Sequence, residues 1–291
     1  MKTTVSITVL VEERAHRPGL VAEHGWSVWI EKDSRRVLFD VGQKNEILVN
    51  ASFLGVDLRE CDTIVLSHGH YDHCGGLDSV WSSVPDKKVY AHPAALNEKY
   101  ARNEDGTSRY NGMPRSSIDT FTGSPGRLID TSKPTDLGSG LFVTGEIPRV
   151  SEFEDAGGAY FSDSQLLHPD PIMDDQALFF ESADGIVVVL GCAHAGVINT
   201  AQYICKLTGD KRIHAILGGM HLLHASQERI QSTIKELERL DPALLGTSHC
   251  TGPAATKQLM SIFGEKCVDC CIGTGFVFEM VGTSSIVHWR V

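Results

Sequence analysis

The sequence predicts an α/β fold, and three features point to it. The N-terminal segment places Val5, Ile7, Val9 and Val11 at alternate positions, the pattern of a half-buried strand. Thr63–Ser67 is a short apolar run of the kind that lies in a sheet covered on both faces. The C-terminal third repeats one unit three times, an apolar strand followed by a Gly- and His-bearing turn and then a helix. With 291 residues, 42% hydrophobic and 22% charged, the chain can build a large core, and a single domain over residues 1–291 is expected.

In order along the chain, strands are predicted at Val5–Val11, Trp26–Glu31 and Val37–Asp40, with Gly25 and Asp33-Ser34 as turn signals. Glu46 to Leu54 reads as a helix with Ile47, Val49 and Leu54 partly on one face. From about residue 97 to 176 the composition turns to Gly, Pro, Ser, Asp and Arg. Only Leu128–Asp130 and Leu141–Thr144 read as strands there, so a loop-rich insertion with a lid or substrate-binding role is expected. The repeated strands are Ile186–Leu190, Ile213–Leu217 and Ala243–Gly246. They lead into Gly191-Cys192-Ala193-His194, Gly218-Gly219-Met220-His221 and Thr247-Ser248-His249-Cys250. The helix after the second turn has Ser226 as N-cap, Ile230, Ile234 and Leu237 on one stripe, and Asp241-Pro242 as its stop. Ligands of open α/β sheets bind beyond the carboxyl ends of the strands, where these turns converge.

Charge and cysteine usage narrow the partners. Thirty-seven acidic against 26 basic residues leave a net charge of −11, so nucleic acid is not an expected partner, while a locally basic pocket could still hold a small anionic substrate. The N-terminus lacks a signal peptide's apolar block. The most apolar stretch, Gly185 to Ile198, falls short of the ~20 residues of a bilayer span and contains His194. A cytoplasmic chain without membrane contact is expected, with its 8 cysteines reduced. The partner is then a small-molecule substrate, and association into a homo-oligomer stays open.

The strongest chemical signal is Ser67-His68-Gly69-His70-Tyr71-Asp72-His73-Cys74-Gly75-Gly76-Leu77, directly after a strand. Three imidazoles and one carboxylate lie within six residues, with glycines that let the backbone turn tightly enough to converge them. Such donors suit zinc, iron or manganese. Arg109, Arg115 and Arg149 lie in or near the insertion, and their planar forks suit phosphate or carboxylate. Cys267-Val268-Asp269-Cys270-Cys271 lacks the second cysteine pair of a structural zinc site. His92, His168, His214, His224 and His288 have no such neighbours and read as structural or surface residues.

His-x-His-x-Asp-His after a buried strand resembles the signature of the metallo-β-lactamase superfamily. The resemblance runs from Leu38-Phe39-Asp40-Val41-Gly42 to Gly273-Thr274-Gly275. Asn50-Ala51, Thr144-Gly145-Glu146-Ile147-Pro148-Arg149, Gly191-Cys192-Ala193-His194, Gly218-Gly219-Met220-His221-Leu222 and His249-Cys250-Thr251-Gly252 are similar to one subgroup. That subgroup includes a dihydropterin–ribofuranosylaminobenzene phosphate synthase of methanopterin biosynthesis and many uncharacterised relatives.

The resemblance implies a four-layer αββα sandwich. It implies one or two divalent ions, zinc first and iron or manganese otherwise, with His68, His70 and His194 on one and Asp72, His73 and His249 on the other. Asp72 would also orient a metal-bound hydroxide that attacks an ester, amide, lactone or phosphoester. The superfamily's bridging aspartate is not evident, and two alignments compete for its place. In the favoured one His194 is the fourth histidine and His221 approaches the bridging slot; in the other Cys192 fills that slot and Glu146 the earlier histidine position. His221 could instead be a general acid or a contact for an anionic substrate. Rival expectations are a pterin-related synthase, a mononuclear iron oxygenase and a non-catalytic metal- and ligand-binding protein.

Overall fold

Two seven-stranded sheets face each other across an apolar core. The computed structural model describes residues 3–84, 87–123 and 126–280; His288 lies outside them. The first sheet combines β1 (Thr4–Val11), β2 (Ser27–Lys32), β3 (Arg35–Phe39), β4 (Thr63–Val65), β5 (Lys88–Ala91), β8 (Leu128–Asp130) and β17 (Gly275–Glu279), in the order β17-β1-β2-β3-β4-β5-β8. A small sheet is built from β6 (Tyr100–Arg102), β7 (Ser108–Tyr110) and β11 (Tyr160–Phe161). The second large sheet contains β9 (Thr135–Gly138), β10 (Leu141–Val143), β12 (Leu178–Ser182), β13 (Gly185–Val189), β14 (Ile213–Gly218), β15 (Leu244–Thr247) and β16 (Cys267–Asp269), in the order β16-β15-β14-β13-β12-β10-β9. The β3-β4-β5-β8 and β13-β14-β15-β16 pairings are parallel and the other pairings antiparallel.

Strand alternation sorts side chains into layers. Val5, Ile7 and Val9 of β1 point into the inter-sheet core with Val28, Ile30, Phe39, Phe180, Val187 and Leu217. The β1/β2 register shifts between Val9 and Val11, and there the sense changes, so that Leu10 and Val11 pack on the outer face instead. That face is covered by α1 (Glu46–Leu54), α3 (Leu77–Trp81) and α4 (Arg115–Gly123) through Ile47, Ala51, Leu77, Val80 and Ile118, while the single-turn α2 (Tyr71–Cys74) lies within the His-rich segment. On the far side α5 (Val197–Thr208), α6 (Gln227–Leu240) and α7 (Pro253–Phe263) bury Ile204, Ile234, Leu237 and Leu259 against Val188, Ile216 and Leu245. The architecture is thus the four-layer αββα sandwich. Each buried Leu, Ile or Phe contributes roughly 1.5–3 kcal/mol of transfer free energy.

Local details agree with the sequence in part. Ser226 caps α6 by accepting from the Arg229 amide, and Asp241 ends the helix in the left-handed region. In α1, however, Val49 is exposed, and the inward face is Ile47, Asn50 and Ala51. Buried Asn50 is satisfied by donating to the Leu10 and Val21 carbonyls, at 2.9 Å each, and by accepting from the Val21 amide. The stretch from 97 to 176 is more ordered than its composition suggests. Besides the small sheet and α4, it supplies β8 to one large sheet and β9 and β10 to the other. Strands of two to four residues are too short to show a period. Among the described residues, no helix is long and apolar enough to cross a membrane.

Candidate metal centre

The His-rich loop leaves the carboxyl end of β4, next to the ends of β3, β13, β14 and β15, and a web of buried hydrogen bonds shapes it. Asp40, wholly buried just after β3, accepts from the Ser67 amide and hydroxyl at 2.7 Å each and from His73 Nδ1 at 2.7 Å. His73 Nε2 is thereby aimed inward. A carboxylate holding a ligand imidazole in this way sets its tautomer and ring plane. His68 Nδ1 rests 2.9 Å from the Ser67 hydroxyl. Asp174, itself ion-paired to buried Lys99 at 2.7 Å, accepts from the Gly69 amide at 2.7 Å. At Gly69 only glycine fits, because a Cβ would stand 2.2 Å from the Ala95 carbonyl oxygen.

The strand-end turns of the second sheet bring the remaining donors. His194 Nδ1 donates to the Ala156 carbonyl at 2.8 Å, and His249 Nδ1 to Glu13 at 2.6 Å. Ala193, His221 and His249 all adopt positive φ, between 46° and 56°, a conformation that costs free energy in non-glycine residues and clusters at functional sites.

The donor atoms of His68, Cys192 and His194 lie within 4.8 Å of one another, and so do those of His73, Cys192 and His249. Cys192 is common to both groups. Asp72 Oδ2 lies 3.4 Å from His249 Nε2, 3.3 Å from His24 Nε2 and 3.9 Å from His73 Nε2. The His70 ring stands 4.6 Å from that of His68 and 4.8 Å from that of His194.

These side chains have the chemistry of a metal site. Burial pushes His68 and His194 far below the usual imidazole pKa and His70 down to about 3, so all three are neutral and offer lone pairs. His70 Nε2 and His194 Nε2 are buried without a hydrogen-bond partner, a cost that a coordinated cation would remove. Burial would raise the Asp72 carboxyl, but His73, His24 and His249 hold it well below the usual range, as an anion. Burial would likewise lower His249, yet Asp72 and Glu13 hold it well above the ordinary value; the same negative surroundings would favour a cation. Imidazole nitrogens, a carboxylate and one thiol form a donor set suited to zinc and its neighbours.

The structure redistributes several expected roles. Cys192, not His221, is common to the two histidine groups, and His194 lies beside His68. The Glu146 side chain is 46% exposed and 3.9 Å from His92, on the surface and outside both groups. Of the three arginines, Arg109 lines the cavity of about 150 Å³ that opens on the centre, together with His70, Asp72, Tyr160, His221 and His249. Arg115 does not line it: its exposed side chain pairs with Asp119 one turn along α4. Arg149 does not line it either: it donates to the carbonyls of His194 (3.0 Å), Ile172 (2.9 Å) and Pro171 and so braces the turn that carries His194. His224 is exposed at the surface, as expected, and also lines the cavity. Cys267, Cys270 and Cys271 join no group of candidate ligands among the described residues.

Sequence reasoning missed Asp40, Glu13, His24, Tyr160 and Cys250. Asp40 alone carried a local signal, as the acidic strand end before Val41-Gly42.

Comparison with known proteins agrees with this geometry. The family model of the metallo-beta-lactamase superfamily matches residues 20–249. The 7,8-dihydropterin-6-methyl-4-(beta-D-ribofuranosyl)-aminobenzene-5'-phosphate synthase of Methanocaldococcus jannaschii is 31% identical over 276 residues, covering 90% of this chain and 92% of the relative. An uncharacterised protein of the same organism is 33% identical over 257 residues, covering 88% and 94%. A crystal structure of a metal-dependent hydrolase of the beta-lactamase superfamily superposes with a TM-score of 0.79 at 30% identity, covering 94% of this chain and 98% of that one. With histidines, Asp72 and Cys192 gathered at the strand ends of two facing sheets, and a family match across most of its length, this chain belongs to the metallo-β-lactamase superfamily.

Proposed function

We propose that the chain is a metal-dependent hydrolase that opens an ester, amide, lactone or phosphoester bond in a small anionic substrate. The observation that carries this reading is the pair of buried histidine groups joined by Cys192, with Asp72 alongside, at the floor of an open cavity. His68, His70 and His194 would hold one divalent ion and Asp72, His73 and His249 a second, with the Cys192 sulfur a further donor within reach of both groups. Zinc suits this set best, with iron or manganese as alternatives. A bound ion would supply Lewis acidity toward the electrophilic oxygen and lower the pKa of water to ~7.

The chain's own groups do the rest. Asp72, held as an anion, orients the attacking water and accepts its hydrogen bond. Arg109, on the cavity wall beside Asn111 at 2.6 Å, offers a guanidinium to a phosphate or carboxylate. The Tyr160 ring, 4.9 Å from that of His70 and 5.3 Å from that of His194, shields the histidines from bulk water.

The test is turnover of phosphodiester, lactone and thioester substrates by protein reconstituted with zinc, manganese or iron. Metal-dependent turnover that falls at least ~100-fold in His68→Ala supports the reading; no turnover with any metal counts against it. A second reading is a synthase that joins a dihydropterin pyrophosphate to a ribofuranosylaminobenzene phosphate. It is favoured by the 31% identity to such an enzyme over 92% of that relative. Pyrophosphate release that requires both substrates would replace the hydrolase reading with this one.

A further inference from the structure

Cys192 has a third side. Its sulfur, one His221 ring nitrogen and the Cys250 sulfur lie within 4.8 Å of one another, and the roles assigned above use neither His221 nor Cys250. His221 Nε2 donates to the Gly157 carbonyl at 3.0 Å, which fixes the tautomer and leaves the lone pair on Nδ1. That Nδ1 is buried and has no hydrogen-bond partner. Gly219 leaves room for the thiol, since a Cβ there would stand 2.6 Å from the Cys250 sulfur. All three residues line the same open cavity, so an ion has a path to them.

We propose that Cys192, His221 and Cys250 hold a thiophilic divalent cation, zinc or cadmium, in a soft-donor site beside the paired histidine centre. The Cys192 thiolate is the corner shared with that centre, and the fourth coordination position faces the cavity. Two sulfurs and one imidazole select zinc-like ions over magnesium, calcium or manganese, which prefer oxygen. Binding releases the two thiol protons to solvent, and the resulting thiolates neutralise the dication. The proposal goes beyond the hydrolytic reading and does not need it to be correct.

Cadmium titration of the metal-stripped full chain tests it, read by the ultraviolet thiolate-to-cadmium charge-transfer band and by elemental analysis. In Cys250→Ser the band should fall to about half and bound cadmium by about one ion per chain, because one of two cysteine donors is lost. His221→Ala keeps both thiols; it should reach a similar band only at roughly tenfold higher cadmium. It also provides the answer if Cys250→Ser does not fold. Equal band and stoichiometry in wild type and Cys250→Ser, or unchanged affinity in His221→Ala, overturns the proposal. His68→Ala separates the two readings: loss of an ion with the Cys250-dependent part of the band intact supports both sites independently. If His68→Ala loses no metal, the paired centre fails while the soft site stands.

Discussion

Asp40 shows how one buried side chain sets the chemistry of a neighbour. Its two oxygens receive the Ser67 amide, the Ser67 hydroxyl and His73 Nδ1. In Asp40→Asn one oxygen becomes an amide nitrogen that can only donate. His73 Nδ1 must then accept, the ring proton moves to Nε2, and the lone pair aimed at the metal site is lost. We expect Asp40→Asn to fold and to bind metal about 10–100-fold more weakly, as chelator competition would measure. Unchanged affinity would show that Asp40 is only a packing residue. The pair Gly191 and Ser67 is equally tight: a Cβ at Gly191 would stand 2.1 Å from the Ser67 hydroxyl, so this glycine keeps the two sheets close enough for the donors to meet.

Among the elements, α5 depends on a residue far from it in sequence. Its N-cap Gly196 makes no side-chain capping bond, and the Glu154 carboxylate instead accepts from the Ile198 and Asn199 amides at 2.9 and 2.8 Å. Glu154→Ala is expected to cost about 1 kcal/mol in a denaturant melt, the usual worth of a helix cap; a cost near zero would mean that water caps the helix equally well. Capping from 44 residues away was not legible in the sequence, whereas Ser226, adjacent to its helix, was. The same contrast runs through the fold and the site. Strands with sustained apolar runs and the His-rich turn were readable, because their signal is local. The inward turn of Asn50, the Glu13 to His249 contact spanning 236 residues and the Cys250 cluster were not, because tertiary pairing creates them. Sequence chemistry alone ranks Cys192 below imidazole for the bridging place, and only the distances bring its sulfur to both histidine groups.

For the whole molecule, the centre ties together turns from both sheets, so metal occupancy and global stability are linked. An ion at 100 times its dissociation constant adds about 2.7 kcal/mol to the folded state. Chelation should therefore lower the thermal midpoint by several degrees, with a smaller drop in His68→Ala; an unchanged midpoint in the wild type would mean that the folded chain holds no ion, or that the unfolded chain binds it as tightly. The segment from 154 to 160 adds a constraint of its own. It caps α5 with Glu154, receives His194 at the Ala156 carbonyl and His221 at the Gly157 carbonyl, and lays Tyr160 over the histidines. A stretch that borders the cavity thus also orients candidate metal ligands. Exchanging it for the corresponding loop of a relative changes two properties at once. Selectivity in this chain can drift only along paths that preserve those two carbonyl positions, so new specificities should arise more readily at Arg109 and His224, which line the cavity outside this loop, than within it.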